Sequence, residues 1–531
     1  MPERISLFGH PGSGKSTIAK QIYAQLHCQI IESSIYLIFP LASHFPILPD
    51  EPVLFSTFKK IPLKHNPMSR EDARRYFSTL AKRYGGDFIS RALHEFYSKD
   101  SMEKCILFVG IRGKENAEYC RLHNDIVVYL KAKRSILLER LIKKRGYTQK
   151  EAKRDLDEEE RIYKTSQIEK IADFVIDTSD KTPSQIKRKI VEFYQQRSRL
   201  CSTCVNSSRN PSITFNKKGI CNICENYFKN FDVKHLEEEI QFLRSFIGKG
   251  KGGHDVMVGI SGGKDSTATL YTIKKMDFTP LSFTFDTGYL PQTTIPRSKE
   301  MAKLLGAEHV IIDIRKYLRD KDIECFKKTV ALYELPFNLD TKLKFQETYN
   351  TARKHYSIKC DHSLPFVRSC QLCRRMVIRA YYDEALKHGV SAIILGINEW
   401  TNLSSAQKGG KFRVSGIREL KPYKNKPAVY VFHLPFLLQR NSKTTKKILD
   451  KIGWKAPEGE DFIESNSNSC LFARSTERMA KRLLEFHPDS TRLGREVTVG
   501  FITKEEALKA LKKIHPYRYS PREVLQKAGI I

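Results

Sequence analysis

The sequence predicts an α/β protein of several domains, and three observations carry that expectation. Two glycine-rich loops each follow a short apolar run: Gly9-His10-Pro11-Gly12-Ser13-Gly14-Lys15-Ser16-Thr17 after Ile5–Phe8, and Ser261-Gly262-Gly263-Lys264-Asp265-Ser266 after Val256–Ile260. Around both loops, strand-like apolar runs alternate with amphipathic helical stretches, the pattern of parallel strands covered by helices. Length is the third: 531 residues exceed what one hydrophobic core serves.

The elements follow in order. A first domain, residues 1–195, takes its strands from Ile5–Phe8, Cys105–Ile111, Ile126–Leu130 and Phe174–Ile176, with a helix over Thr17–Leu26. The polar stretch Thr178–Gln185 and a basic helix through Arg199 lead out of it. A Cys-rich unit occupies 198–230. The helix Leu236–Ile247 and the Gly/Lys-rich hinge Gly248–His254 then open a second α/β domain, 231–440, with strands at Val256–Ile260, Leu281–Phe285, His309–Ile312 and Ala392–Ile397 and a further buried run at Ala428–Phe432. Residues 441–531 read as a basic helical region.

Composition narrows the function classes. With 40% hydrophobic and 29% charged residues this is the make-up of a soluble globular protein. No apolar run approaches the roughly 18 residues needed to span a membrane. Met1-Pro2-Glu3-Arg4 runs straight into a strand without a targeting pattern, so the cytoplasm is the expected location and no membrane partner is expected. Twelve cysteines do not amount to disulfide density, and six of them form CxxC pairs, which in a reducing compartment points to metal or redox work. The net charge of +32 is spread along the chain and suits anionic substrates or RNA, so tRNA is carried as a candidate partner, although a Lys-rich proteome would give the same excess.

Gly9-x4-Gly14-Lys15-Ser16 fits the P-loop pattern between a strand and a helix. Gly9, Gly12, Ser13, Gly14, Lys15, Ser16 and Thr17 would cradle the phosphates of ATP, Lys15 neutralising the β/γ oxygens and Ser16 ligating Mg²⁺. Downstream, Ser69-Arg70-Glu71-Asp72-Ala73-Arg74-Arg75 with Arg83-Tyr84-Gly85, Phe108-Val109-Gly110-Ile111-Arg112 and Ala172-Asp173-Phe174-Val175-Ile176 resemble parts of small-molecule and nucleoside-monophosphate kinases, dephospho-CoA-kinase-like enzymes nearest. The resemblance implies an acceptor-binding helix at 69–75, a strand end facing the acceptor at 108–112, and a mobile basic lid at Arg140, Arg145 and Arg154. A solvated basic helix face is the plain alternative for the lid.

Cys201-x2-Cys204 and Cys221-x2-Cys224 have the spacing of a four-thiolate structural zinc site. The surrounding Cys201-Ser202-Thr203-Cys204-Val205, Asn210-Pro211-Ser212-Ile213-Thr214-Phe215 and Gly219-Ile220-Cys221-Asn222-Ile223-Cys224 resemble the zinc-ribbon leader of N-acetyl sugar amidotransferases, in which the ribbon is structural.

Ser261-Gly262-Gly263-Lys264-Asp265-Ser266 resembles the signature of the N-type ATP pyrophosphatases, the PP-loop enzymes, over residues 254–430. The resemblance implies an adenine nucleotide alpha hydrolase-like, doubly wound domain that cleaves ATP between the α and β phosphates, adenylates a substrate oxygen and lets a nitrogen or sulfur nucleophile displace AMP. Ser261, Gly262, Gly263 and Ser266 would hold the pyrophosphate, Lys264 would add charge at the leaving group, and Asp265 would help hold Mg²⁺. Phe285, ending the second strand, would receive the adenosine. Gly396, in Leu395-Gly396-Ile397-Asn398-Glu399 at the end of a later strand, would also bind the nucleotide, with Asn398 and Glu399 as candidates for Mg²⁺ or ribose contacts. Many relatives carry Gly-His-Asn-x-Asp-Asp at the latter place, whereas here Ile397, Glu399, Trp400 and Thr401 stand instead, which weakens a tRNA-thiolase assignment. Arg418 or Lys421 would reach the α-phosphate or lie on a surface loop.

Cys370-Gln371-Leu372-Cys373 and the remote Cys470 resemble the three ligands with which PP-loop tRNA thiolases hold a [4Fe–4S] cluster. A persulfide pair, a second zinc site with Cys360, and a merely structural helix start are the alternatives. Cys28, Cys105, Cys120 and Cys325 read as small core residues. The leading expectation is thus a bifunctional ATP-dependent enzyme, an N-terminal kinase fused to an AMP-forming amidotransferase for a sugar-type metabolite. It would take ammonia from a separate glutaminase, since no glutaminase motif is seen. ATP-dependent sulfur transfer through Cys370, Cys373 and Cys470 with a sulfur-donor partner is the alternative. A nucleotide-sensing or nucleic-acid-binding protein with vestigial sites is the alternative of another class, and intact Lys15, Ser16, Lys264 and Asp265 speak against it.

Overall fold

The computed structural model of the protein describes residues 3–33, 70–99, 105–197, 199–355, 363–403, 413–421, 425–457, 461–465, 468–515 and 517–531. Packing divides it into two units, Met1–Ser198 with Phe337–Lys342, and Arg199–Pro336 with Leu343–Ile531. The stretches expected as separate domains from Arg199 onward fall within the second unit. Among the described residues no helix is long and apolar enough to cross a membrane.

In the first unit, β1 (Glu3–Phe8) runs into α1 (Lys15–Leu26) and then β2 (Gln29–Glu32). Two helices, α2 (Arg70–Tyr84) and α3 (Phe88–Lys99), lead to β3 (Cys105–Val109), α4 (Lys114–Leu122) and β4 (Ile126–Lys131). The helices α5 (Arg134–Arg145) and α6 (Gln149–Tyr163), then β5 (Phe174–Asp177) and α7 (Pro183–Arg197), complete it. The five strands lie in the order β2-β3-β1-β4-β5 and every pairing is parallel. Side chains of a strand alternate between its faces, so Ile5 and Leu7 pack into one apolar layer with α1 and α7, while Phe8, Phe108 and Tyr129 face α2, α3 and α4 on the other. The expected strands are all present; β2, four residues at the sheet edge, was not foreseen because so short a run carries little pattern. Cys28 and Cys105 are core residues as expected, but they are also joined to each other as a disulfide.

The second unit starts with the cysteine segment and continues through α8 (Asn222–Asn230) and α9 (Val233–Arg244). Its sheet is built by β6 (Val256–Gly259), α10 (Lys264–Lys275), β7 (Pro280–Asp286), α11 (Thr294–Leu304) and β8 (Glu308–Asp313). After α12 (Asp320–Tyr333), α13 (Leu339–His355) and α14 (Cys370–Lys387), the chain returns as β9 (Ala392–Leu395). A small antiparallel pair, β10 (Thr401–Leu403) and β11 (Arg413–Ser415), precedes β12 (Ile417–Leu420) and β13 (Val429–His433). Strand order is β12-β13-β9-β6-β7-β8, all parallel except the edge pair β12–β13. Val256 and Val258 face a core with α9 and α10, and Met257 faces the opposite core with α14. The helices α15 (Leu434–Leu437), α16 (Ser442–Lys451), α17 (Leu471–Leu484), α18 (Ser490–Thr498), α19 (Lys504–Lys512) and α20 (Pro521–Lys527) follow.

This order has a switch point: β6 leads to β7 and β8 on one side, while β9 and β13 lie on the other. A crevice therefore opens beyond the carboxyl ends of β6 and β9, where open α/β sheets take ligands.

Candidate functional site

The first loop is closed on itself by Ser13 N–H donating to His10 O at 3.1 Å, and Gly14 O accepts from Ile18 N at 3.0 Å as α1 begins. Lys15 Nζ donates to Gly9 O at 2.5 Å and His10 O at 3.0 Å, so the ammonium lies folded over the loop it would share with phosphate. Ser16 Oγ donates to Glu32 Oε2 at 3.3 Å, and Ser16 and Thr17 are exposed while Ser13 is buried. Sequence reasoning missed Glu32, whose strand was unforeseen. His10, inside the loop, contacts Glu160 of α6 and the Tyr129 hydroxyl, each at 3.2 Å; its burial outweighs Glu160 and lowers its pKa.

The arginines expected around the acceptor divide into two groups. Arg74 pairs with Asp155 and, at 2.7 Å, with Glu158; Arg112 pairs with Glu159 at 2.6 Å. An acidic face of α6 thus engages both. Arg140 donates to Gly12 O at 3.3 Å and to Thr178 O at 2.7 Å, bracing the loop. Arg154 sits on the surface with Glu71 and Glu158, and only Gly146–Thr148 joins α5 to α6 in a capped turn. Arg140 and Arg154 thus hold different partners, one on the loop and one on the surface. Ser69 lies outside the described residues.

Cys201, Cys204, Cys221 and Cys224 are fully buried, and their four sulfurs lie within 4.8 Å of one another. Sγ–Sγ distances are 3.8 Å for Cys201–Cys224, 3.6 Å for Cys204–Cys221 and 3.5 Å for Cys221–Cys224, and none is in a disulfide. Four thiolates about 2.3 Å from a tetrahedral metal stand about 3.8 Å apart, so the donor set fits such an ion. N–H groups converge on the sulfurs: Cys221 N on Cys201 at 3.2 Å, and Asn206 N and Nδ2 on Cys204 at 3.4 and 3.2 Å. Among the described residues one other cluster brings such donors together: His94, Cys120 and Asp125. There Arg4 already supplies the cation, at 2.6 Å from Asp125.

The second loop lines a cavity of about 810 Å³ at the switch point. Ser261, Gly263, Lys264, Asp265, Ser266, Phe285 and Gly396 all border it, as do Asn398, Glu399 and Arg418. The Ser261 and Ser266 hydroxyls stand 3.2 Å apart, Ser266 Oγ donates to Gly263 O at 3.1 Å, and Lys264 pairs with the adjacent Asp265. Gly396 is required by close approach: a Cβ there would stand 2.7 Å from Ser266 N and Cα. Gly262 O accepts from Trp454 Nε1 and Arg297 Nε, both at 3.0 Å, and Arg440, buried beneath α10, donates to Asp265 O at 3.1 Å and Thr269 Oγ1 at 3.0 Å. Phe462 lies against the Lys264 ammonium at 5.1 Å. Arg495 pairs with Glu399 at 3.2 Å and covers the Trp400 ring. Burial pushes the Glu399 carboxyl up, but His433, Arg495, Arg418 and Arg374 outweigh it and hold its pKa below the usual carboxylate value.

Trp454, Phe462, Arg492, Arg495 and Glu496 of the C-terminal region border this cavity and were missed, since the region showed only basic helical character. Cys370 and Cys373 occupy the first turn of α14 and also line the cavity. The structure brings Cys470, the N-cap of α17, near them: burial and then the neighbouring Cys370 charge raise its pKa to about 12. Tyr289 ties the two cysteine-bearing elements, its hydroxyl 2.6 Å from Cys373 Sγ and its carbonyl accepting from Leu471 N at 3.1 Å. Cys360 lies outside the described residues.

Comparison with known proteins bears on the first unit. No curated protein matches the chain significantly. Shikimate kinase from Acinetobacter baumannii in complex with shikimate is 16% identical, covering 36% of this chain and 93% of its own, with a TM-score of 0.25. Shikimate kinase from Bacteroides thetaiotaomicron is 15% identical over 36% of this chain and 98% of its own, TM-score 0.24. An uncharacterized protein from Eubacterium ventriosum is 12% identical over 37% and 99%, TM-score 0.23. Residues 91–195 match the Shikimate kinase family profile, a different kinase family from the dephospho-CoA kinases that the sequence resembled, and the match begins after the phosphate loop. The N-terminal unit is a parallel-sheet, P-loop kinase-like domain, similar to shikimate kinases over those residues.

Proposed function

We propose that the protein is a bifunctional ATP-dependent enzyme. Its first unit moves a terminal phosphoryl group to a small molecule. Its second activates a substrate with AMP and transfers nitrogen to it. The observation that carries the second half is the Ser261–Ser266 loop at the switch point, opening on a cavity large enough for a nucleotide and a second substrate.

In the first unit Lys15 and the loop amides would hold the β and γ phosphates of ATP, and Ser16 would hold Mg²⁺, which neutralises the phosphate charge when bound. The acceptor hydroxyl attacks the γ-phosphorus, the bond to the β-phosphate oxygen breaks, and ADP leaves. Glu32, beside Ser16, would receive the hydroxyl proton directly or through water. In the second unit a substrate carbonyl oxygen attacks the α-phosphorus and pyrophosphate leaves, held by the Ser261, Gly263 and Ser266 groups with Lys264. Ammonia then attacks the activated carbon, the carbon–oxygen bond to AMP breaks, and the nitrogen loses its proton. Ammonia would come from a separate glutaminase, and the substrate from the sugar-type metabolites that the zinc-ribbon resemblance implies. The four buried cysteines would hold a structural Zn²⁺.

A second reading is favoured by one specific observation: Cys370 and Cys373 border the same cavity, with Cys470 close by. There a persulfide on one cysteine, loaded by a sulfur-donor partner, would attack the activated carbon of a substrate such as tRNA and displace AMP. A second thiol would then cleave the sulfur–sulfur bond, leaving sulfur on the substrate and a disulfide for cellular thiols to reduce. Alternatively the three thiolates would hold a [4Fe–4S] cluster that supplies sulfide from the donor.

ATP labelled at the α-phosphate tests the division of labour. Lys264→Ala should abolish AMP and pyrophosphate while leaving ADP formation, and Lys15→Ala the reverse. Unchanged AMP formation in Lys264→Ala refutes the second half. Iron and zinc in protein purified without oxygen separate the two readings: about one zinc per chain and no iron removes the cluster form of sulfur transfer.

A further inference from the structure

We propose that the four-cysteine centre positions Arg492 and Arg495 in the nucleotide cavity, acting through a helix that touches both. The inference rests on the second site being a nucleotide site and adds what holds one of its walls in place.

That helix is α18, Ser490–Thr498. Its faces follow the helical period. Thr491, Arg492, Arg495 and Glu496 border the cavity that holds the Ser261–Ser266 loop. Leu493 and Val497, on the other side, belong to the same apolar cluster as the four cysteines. Thr498 Oγ1 stands 3.1 Å from Cys224 Sγ. Gly494 packs so tightly on Asn206 that a Cβ would approach its Nδ2 to 2.8 Å, and that Nδ2 donates to Cys204 Sγ at 3.2 Å and to Cys221 Sγ at 3.5 Å. The following helix adds Lys504, whose Nζ donates to Cys201 O at 2.6 Å.

The cysteine segment is therefore the floor on which α18 lies. A structural metal's binding energy is folding energy for the groups around it. Losing the ion leaves four thiols without their common centre, and Asn206 and Thr498 lose the fixed sulfurs they lean on. The displacement would reach the cavity directly, because the helix carries Arg495, which pairs with Glu399 and covers the Trp400 face, and Arg492, which pairs with Asp489 and Glu496 and donates to Glu464 O.

The test uses the full chain in a Lys15→Ala background, which silences the first loop, with Mg²⁺ and α,β-methylene-ATP as the probe. The two tryptophans of the chain report on the site: Trp400 lies under Arg495 and Trp454 donates to Gly262 O. Zinc-loaded protein should bind the probe with a change in tryptophan emission. Metal-stripped protein should bind about 10- to 100-fold more weakly, the worth of one or two charged hydrogen bonds. The double variant Arg492→Ala/Arg495→Ala should show the same loss when zinc-loaded and no further loss when stripped. Thr498→Val, assayed with zinc content measured, should weaken binding in the parent but not in the double variant, and covers the case in which stripping unfolds the unit. A metal-stripped parent that binds as tightly as the loaded one overturns the proposal. So does a Thr498→Val or stripping effect of equal size in the double variant, which would mean a general loss of fold. If the loaded protein does not bind the probe at all, the nucleotide assignment of the second site falls first and takes this inference with it.

Discussion

Gly396→Ala is the sharpest single test of how the second loop is built. Gly396 directly follows β9, at the point where the chain passes the N-terminus of α10. A methyl group there would stand 2.7 Å from Ser266 N and Cα and 2.8 Å from Asp265 C. Ordinary carbon contacts are about 3.5–4.0 Å, so the strand end and the helix start must separate by about an ångström. All three obstructing atoms are backbone, and no rotamer change relieves them. Overpacking of this kind costs about 1–3 kcal/mol of stability. A misplacement of about 1 Å in groups that position a reacting phosphate costs about 100-fold in rate. AMP release from α-labelled ATP should therefore fall by about two orders of magnitude, with a melting temperature lowered by a few degrees, while ADP formation by the first unit serves as an internal control. Wild-type AMP release together with an unshifted melting curve would refute the packing argument and the placement of the nucleotide beside Ser266.

Other outcomes follow from the same geometry. Arg440→Met removes a buried cation that donates to Asp265 O and Thr269 Oγ1, and should destabilise the second unit by about 2–3 kcal/mol, read by denaturant unfolding; a change within error would mean that α10 holds without it. Asp125→Asn leaves Arg4 buried without its carboxylate and should cost the first unit about 3–5 kcal/mol. Burial pushes the Asp125 carboxyl up, but His94 and Arg4 outweigh it and hold it at about 2, against an ordinary 3.8. The carboxylate's contribution, about 2 kcal/mol, is present above pH about 4 and lost as the pH falls toward 2. The acid limb of the first unit's stability should flatten in Asp125→Asn, and an unchanged limb would assign it to other carboxylates. Burial pushes the Cys373 pKa up and the Tyr289 hydroxyl pulls against that push, so Tyr289→Phe should leave less thiolate and slow the alkylation of Cys373 in native protein, measured by peptide mapping; no change would show that burial alone sets its reactivity.

Much of the fold was legible because it is written locally. Ile5–Phe8 and Val256–Ile260 are apolar runs long enough to read as buried strands, and each hands its chain to a loop whose glycines and lysine carry their own meaning. The paired CxxC segments were equally plain, since two short turns bring four sulfurs together with little help from elsewhere. What escaped was short or irregular: β2, whose four residues supply Glu32 beside Ser16, and the β10–β11 pair next to Glu399. The partners of the acceptor-side arginines also escaped: Arg74 and Arg112 are engaged by the acidic face of α6, a partnership that spacing along the chain does not encode.

The sequence by itself determined that this protein has two glycine-rich loops between strand and helix and a four-cysteine cluster, because each depends on residues within a few positions of one another. Only the tertiary structure decided their surroundings. Trp454 and Phe462 reach the second loop from 190 or more residues along the chain, Arg495 meets Glu399 and Trp400 across the same cavity, and Cys470 approaches Cys370 from a different helix. Those meetings are set by how helices bury their apolar faces on a sheet, a long-range packing solution that leaves no period or motif in the residues it unites.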